Sequence, residues 1–206
     1  MVSSVVLCMV TKNKAISTMT LHSAMQINLH CMANNISLEI QFHTDKSNFQ
    51  KPMKSAERMV WIDYGVHIDK ETIEKLLSDF PDNYKVLVLP CVTDHVDWDM
   101  FKKKTLAGST EPVHQRGMKF DTEYLLNKSQ HIADFVSSES GGRLLALDTK
   151  HVLKKLRDSD SSYKSLEQLK KLGVKIGVLR SCSATCHYVY ECFGNIIEST
   201  GVRVTP

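Results

Sequence analysis

The sequence predicts an α/β domain with a mainly parallel central sheet flanked by helices. Three observations carry that prediction. Segments of strand character alternate along the chain with segments of helical period. Several strand segments, at 5–10, 59–62 and 85–89, are near-continuous apolar runs, as strands covered on both faces require. At 206 residues and 23.3 kDa the chain has the length of one domain. A chain of this size buries roughly two-thirds or more of its unfolded surface without staples.

The elements follow in order. Residues 5–10 are apolar and lack a basic leader, which makes them the first buried strand rather than a signal sequence. The polar Thr11-Lys-Asn-Lys14 ends it. Residues 16–32 place Ile16, Met19, Leu21, Met25, Leu29 and Met32 at near-helical spacing, with Asn34-Asn35 as the stop. Residues 37–43 alternate with period two and form a strand. Residues 46–54 are polar around Pro52 and form a loop. A short strand over 59–62 delivers Asp63. A helix over 69–77 follows, with acidic residues in its first turn, where the helix dipole favours them. Residues 85–89 form a central strand. The stretch 94–128 is long, polar and weakly patterned, and is expected to be a functional loop or lid. A strand over 144–147, helices over 150–156 and 165–172, and a strand over 174–179 complete the alternation, with Gly173 as a helix cap and one more strand within 196–204.

Composition excludes several classes of function. The chain is 42% hydrophobic and 24% charged, so it is neither disordered nor collagenous. A net charge of +3 and 7% aromatic residues argue against a broad basic nucleic-acid face or a stacking platform for single strands. No run approaches the ~18 apolar residues of a spanning helix. Six cysteines, three of them among apolar neighbours, read as free thiols of a reducing cytosol. Cys182-x3-Cys186-His187-x4-Cys192 carries zinc-ligand types, but not the spacing of paired CxxC ribbons. No G-x-G-x-x-G, P-loop or G-x-S-x-G pattern occurs.

In sheets of this kind, ligands sit at the carboxyl ends of strands. That rule points to 11–14, 63–65, 90–94 and Gly141-Gly142. Asp63 is the most informative residue, because an apolar strand presents it at its end. Mg²⁺ and Mn²⁺ prefer hard oxygen ligands and often take one or two carboxylates plus phosphate oxygens. The plain alternative is a turn residue at Asp63 and a helix N-cap at Asp69.

The stretch Arg58-Met-Val-Trp-Ile-Asp-Tyr-Gly-Val-His-Ile-Asp69, continuing to Leu76-Leu77, resembles the GT-A glycosyltransferase pattern. There an apolar strand runs into an Asp-x-Asp motif and then a helix that ends in a Leu-Leu pair. Pro90 with Asp97-Trp98 resembles the segment after the next strand. Gly141-Gly142-Arg-Leu-Leu-Ala-Leu-Asp148 resembles the Gly-x-Gly strand near the transferred sugar. The ordered set spans most of the first 155 residues and looks most like the N-terminal GT-A domain of a large chlorovirus (algal virus) protein.

The resemblance implies a GT-A-like (Rossmann-like) single domain over 1–206. Its nucleotide-binding half would be about 1–92 and its acceptor-side half about 93–206. It implies a transferase that moves a sugar from a nucleoside diphosphate, UDP in the first instance, to a sugar hydroxyl, with Mn²⁺ or Mg²⁺. Its setting would be the cytoplasm, of a host cell where the glycan is viral, and further domains of a longer polypeptide would follow. Thr11, Lys12, Asn13 and Lys14 would line the base and ribose. Asp63 would hold the metal, with His67 or His187 as a second ligand. Arg58, Tyr64, Gly65, Asp97, Gly141 and Gly142 would complete the donor site. Gly65 stands where the second acid of Asp-x-Asp is expected. The catalytic base stays open among Glu191, Asp94 and Asp148. The competing reading is a non-catalytic α/β binding module with a C-terminal Cys/His zinc or protein-contact site.

Overall fold

The computed structural model describes residues 2–126 and 131–186. The first unit is β1 (Ser4–Val10), α1 (Thr18–Ala33) and β2 (Ser37–His43). Then come β3 (Arg58–Ile62), β4 (Val66–Ile68), α2 (Lys70–Leu77), β5 (Val86–Leu89) and β6 (Val92–Val96). Next are α3 (Trp98–Leu106), β7 (Met118–Phe120), β8 (Thr122–Leu125) and β9 (Ile132–Ser138). Last are β10 (Leu144–Asp148), α4 (Thr149–Asp158), α5 (Leu166–Lys171), β11 (Ile176–Leu179) and β12 (Ala184–Cys186).

Eight strands form one sheet in the order β2-β1-β3-β10-β5-β11-β9-β8. Six run the same way, and β10 and β9 run against them. The sheet is therefore mainly parallel in strand direction and mixed in its pairings. β10 is inserted between β3 and β5, so the two sequence halves share one sheet. Two small pairs, β12 with β4 and β6 with β7, flank it.

Strand alternation sorts the core into two layers. Val5, Leu7, Met9, Val60 and Ile62 face one way, toward Ala24 and Ile27 of α1 and Ile73 and Leu76 of α2. Val6, Cys8, Met59 and Trp61 face the other, toward Val152 and Leu156 of α4 and Leu166 and Leu169 of α5. Burial of such side chains is worth about 1.5–3 kcal/mol each, and it sets the strand register.

One expectation needs correction, and two features were not legible. The stretch 94–128 is not one long loop: it contains most of β6, then α3, β7 and β8. α3 buries none of its residues and so has no apolar stripe to betray it. β9 has no counterpart among the predicted elements, because its apolar residues end in two serines. In α1, the helix is present but turned: Thr20, Ser23, Ala24, Ile27 and Cys31 are its buried residues, while Leu21, Met25, Leu29 and Met32 are exposed. The expected strand at 196–204 lies outside the described residues.

Candidate functional site

The shared strand direction brings the ends of β1, β2, β3 and β5 to one edge of the sheet, together with the start of the opposed β10. Asp63 stands there, directly after β3. Its amide donates to the Arg143 carbonyl at 2.8 Å. Its carboxylate lies 3.7 Å from Arg143 Nε and 3.4 Å from Trp61 Nε1. The Asp63 side chain is 25% exposed and that of Arg143 only 6%, so the acid faces outward over a buried cation. Arg143 also donates to the carbonyls of Val92 at 2.8 Å and Tyr64 at 3.3 Å. It thereby joins the start of β6 to the turn after β3.

That turn is held from α1. Gly65, at φ 77°, donates its amide to the Thr20 hydroxyl at 3.0 Å, and the hydroxyl donates to the Val66 carbonyl at 3.1 Å. The positive φ makes Gly the natural residue there. Beside it, 11–14 form a tight reversal closed by Lys12–Ala15 backbone bonds of 2.9 and 3.0 Å. Asn13 and Lys14 both take positive φ, at 51° and 62°, the pattern of a type I′ turn. Thr11 bonds the His43 carbonyl through its amide at 2.8 Å and its hydroxyl at 3.3 Å. Lys12 Nζ sits 5.5 Å from the Tyr64 ring centre, which links this turn to the one carrying Asp63.

The Gly141-Gly142 turn is built by residues the sequence did not single out. Lys46 Nζ donates to the carbonyls of Ser140, Gly141 and Gly142 at 3.0, 3.0 and 2.5 Å. Burial pushes the Lys46 ammonium below its ordinary range, against the pull of Asp63 and Asp121. Asp121 is buried and accepts from the Cys91 amide at 3.0 Å, the Thr122 hydroxyl at 2.8 Å and the Ser140 hydroxyl. Its carboxylate is thus committed to structure.

The structure therefore brings Thr11, Lys12, Asn13, Lys14, Asp63, Tyr64, Gly65, Gly141 and Gly142 to one edge, and adds Lys46 and Arg143. Other expected residues lie elsewhere. Arg58 begins β3, roughly 16 Å from Asp63 along the strand. There it donates to the carbonyls of Leu76 at 2.6 Å and Ser78 at 3.0 Å and stacks 3.6 Å from the Phe80 ring centre. Asp148 is paired in register with Arg58, so it too stands at the far edge, because β10 runs backwards. It caps α4 through the His151 amide and pairs with Lys85 at 3.6 Å. Asp97 caps α3 through the Met100 amide at 2.8 Å. Asp69 caps α2 through the Thr72 amide at 2.8 Å. His67, on β4, meets His22 of α1 at 3.3 Å between ring nitrogens. Asp94 is the third residue of β6. Glu191 and His187 lie outside the described residues.

The strand-end carboxylate that would meet a divalent ion at this edge is that of Asp63, since Asp121 is committed to the Cys91 amide and two hydroxyls. Among the described residues no three His, Cys, Asp or Glu side chains converge as a ready metal cage. The arrangement fits an ion such as Mg²⁺ held by one carboxylate and completed by phosphate oxygens and water. Of the zinc-type residues, Cys186 is buried and hydrogen-bonded to Cys91, which with Arg143 draws its thiol pKa down and leaves that of Cys91 raised. Cys182 is partly buried, and Cys192 lies outside the described residues. No helix among the described residues is long and apolar enough to cross a membrane.

No family model matches the chain, and no curated protein matches it in sequence. Solved structures resemble it in fold. The 4-diphosphocytidyl-2C-methyl-D-erythritol synthase of Anaerococcus prevotii is 10% identical over 95% of this chain and 97% of its own, with a TM-score of 0.45. A Drosophila β-1,4-galactosyltransferase 7, in complex with manganese, UDP-Gal and xylobiose, is 10% identical over 86% of this chain and 65% of its own, with a TM-score of 0.41. The inositol-1-phosphate CTP transferase of T. maritima is 12% identical over 95% of this chain and 96% of its own, with a TM-score of 0.46. The α/β fold, with a mainly parallel central sheet flanked by helices, is the one expected from the sequence.

Proposed function

We propose that the chain is a transferase that uses a nucleoside diphosphate-sugar, with UDP as the carrier, and passes the sugar to a sugar hydroxyl. One observation carries this reading. A partly exposed strand-end carboxylate, Asp63, two glycine-bearing turns and the Lys12 cation gather at the carboxyl edge of the sheet, where such folds bind ligands. In this reading the turn at 11–14 receives the base and ribose. The backbone at Gly65 and at Gly141-Gly142 allows close approach of the diphosphate and sugar. Arg143 and Lys46 are committed to carbonyls, so they hold the turns in place and add positive potential from beneath. Asp63 holds Mn²⁺ or Mg²⁺, whose charge offsets that of the leaving diphosphate.

For an inverting reaction the acceptor hydroxyl needs a general base. Asp94 is our first candidate, because β6 starts against Arg143 through Val92. Glu191 is retained as the second. Asp97 lies directly after β6 and would act through its cap on α3, by placing the 98–106 helix beside an acceptor glycan. Arg58 and Asp148 take no part. His67 and His187 remain candidates for a second metal ligand. The viral relationship and further domains of a longer polypeptide belong to the same proposal.

The test is calorimetry with UDP, with and without Mn²⁺, on the wild-type chain and on Asp63→Ala. The wild type should bind UDP more tightly with Mn²⁺, and the variant should lose that gain while keeping its circular dichroism. A variant that binds UDP and Mn²⁺ as the wild type does would overturn the assignment. Hydrolysis of a UDP-sugar panel then identifies the donor.

A further inference from the structure

Helix α1 carries no Asp, Glu, Lys or Arg in its sixteen residues, in a chain that is 24% charged. A helix whose outer face meets only water normally bears charge there. Here Leu21, Met25, Leu29 and Met32 stand along one stripe, exposed by 41%, 58%, 57% and 68%. The stripe spans about 80° of the helix circumference. Gln26, His30 and Ala33 turn toward α2, where with Leu29 at the rim they line a groove against Lys70, Ile73 and Glu74. The stripe thus runs along the outer face of the helix, from Leu29 at the rim of that groove to Leu21 on the side where, among the described residues, the sheet ends at β2.

β2 continues the same surface. Ile40 and Phe42 are in register with Leu7 and Met9, on the face of the sheet that α1 covers. They are exposed by 41% and 62%. Half of the large hydrophobic residues exposed among the described residues therefore lie on these two elements. Together they present roughly 600 Å² of apolar side chain, the upper end of what a monomer leaves bare. Edge strands are normally blunted by lysine, proline or a bulge. β2 is seven residues long and has none of these.

We propose that a second copy of this chain covers this face, across a two-fold axis that joins β2 to β2 in antiparallel pairing. The register supports self-association. A dyad at Ile40 sets Leu38 opposite Phe42 and Glu39 opposite Gln41, which matches apolar with apolar and leaves no like charges facing. A dyad one residue earlier would put Glu39 against itself, at a cost. The apolar area supplies most of the ~800 Å² that each partner gives to a standard interface. Enrichment in Met and absence of charge are marks of an interface centre. A membrane-surface helix would instead carry Lys and Arg on its polar side.

Light scattering coupled to gel filtration of the 206-residue chain at micromolar concentration tests this. The expected mass is twice 23.3 kDa. Phe42→Lys and Met25→Lys should each raise the dimer dissociation constant at least tenfold, with circular dichroism unchanged. Leu106→Lys, on the unrelated exposed surface of α3, should leave it unchanged. A wild-type monomer at tens of micromolar would overturn the proposal, whether or not it binds phosphatidylcholine vesicles. So would a dimer indifferent to Phe42→Lys and Met25→Lys.

Discussion

The amide of Asp63 donates to the carbonyl of Arg143 at 2.8 Å, while Arg143 Nε stands 3.7 Å from the Asp63 carboxylate. The two residues are eighty positions apart in sequence, and they meet because β10 lies antiparallel beside β3. The remaining Arg143 donors satisfy carbonyls of Val92 and Tyr64, so one buried guanidinium fixes the turn after β3 against the start of β6.

Arg143→Met should therefore destabilise the fold. It keeps an apolar stem but leaves Asp63 without its cation and two carbonyls without that donor. Loss of one partner from a buried pair costs about 3–5 kcal/mol. Asp63 is partly exposed, so the lower end is expected. For a domain of this size that lowers Tm by roughly 6–12 °C. Scanning calorimetry checks it, and Arg143→Lys should recover only part of the loss, because a point charge lacks the guanidinium fork.

Two glycines of positive φ separate backbone strain from crowding. Gly108 has φ 67° and nothing within 4 Å of an added Cβ. Gly142 has φ 78°, and a Cβ there would meet Leu145 Cδ2 at 3.1 Å and Leu166 Cδ1 at 3.2 Å. Gly108→Ala should cost about 1 kcal/mol for the left-handed backbone. Gly142→Ala should cost about 1–3 kcal/mol more through overpacking. Urea denaturation of the two variants gives the difference directly.

Thr20 is fully buried, and its hydroxyl serves the Gly65 amide and the Val66 carbonyl together. Thr20→Val keeps the shape and strands both backbone groups, at a cost of about 2 kcal/mol. The local readout is hydrogen exchange. The Gly65 amide should lose protection more than amides in the centre of β1.

His43 makes stability depend on pH. Its Nε2 is buried with no hydrogen-bond partner among the described residues, beside the Trp61 ring at 5.2 Å between centres. Burial pushes its pKa below the ordinary 6.5, against the pull of Asp45. The folded state then binds fewer protons than the unfolded state as pH falls below 6.5, so stability is lost on acidification. Burial shifts His114 and His151 the same way. Thermal unfolding between pH 7.5 and 5 should show a falling Tm, with a shallower slope in His43→Leu. An unchanged slope would show that His43 is not a source of it.

Much of the architecture was legible because strands buried on both faces leave continuous apolar runs, and 5–10, 59–62, 85–89 and 144–147 are such runs. Helix starts were visible where a short polar residue caps a periodic segment, as Asp69 does for α2. α3 was not, since it buries nothing and is held by the Asp97 cap and the closing β6–β7 pair. The face that α1 buries was not legible for a related reason. Hydrophobic period marks a stripe that avoids water without naming its partner, and here Ala24, Ile27 and Cys31 pack on the sheet while Leu21, Met25, Leu29 and Met32 point away.

The sequence by itself determined the α/β alternation, the strand that ends in Asp63 and the helix that starts at Asp69, because each is a local consequence of side-chain chemistry. Only the tertiary structure decided which edge of the sheet collects them. The reversed direction of β10 carries Arg143 to Asp63 and carries Asp148 away. The fold also seats Lys46 beneath three carbonyls of a turn ninety-odd residues later. Those contacts depend on strand order and direction, which the pairing of distant segments sets and no local pattern encodes.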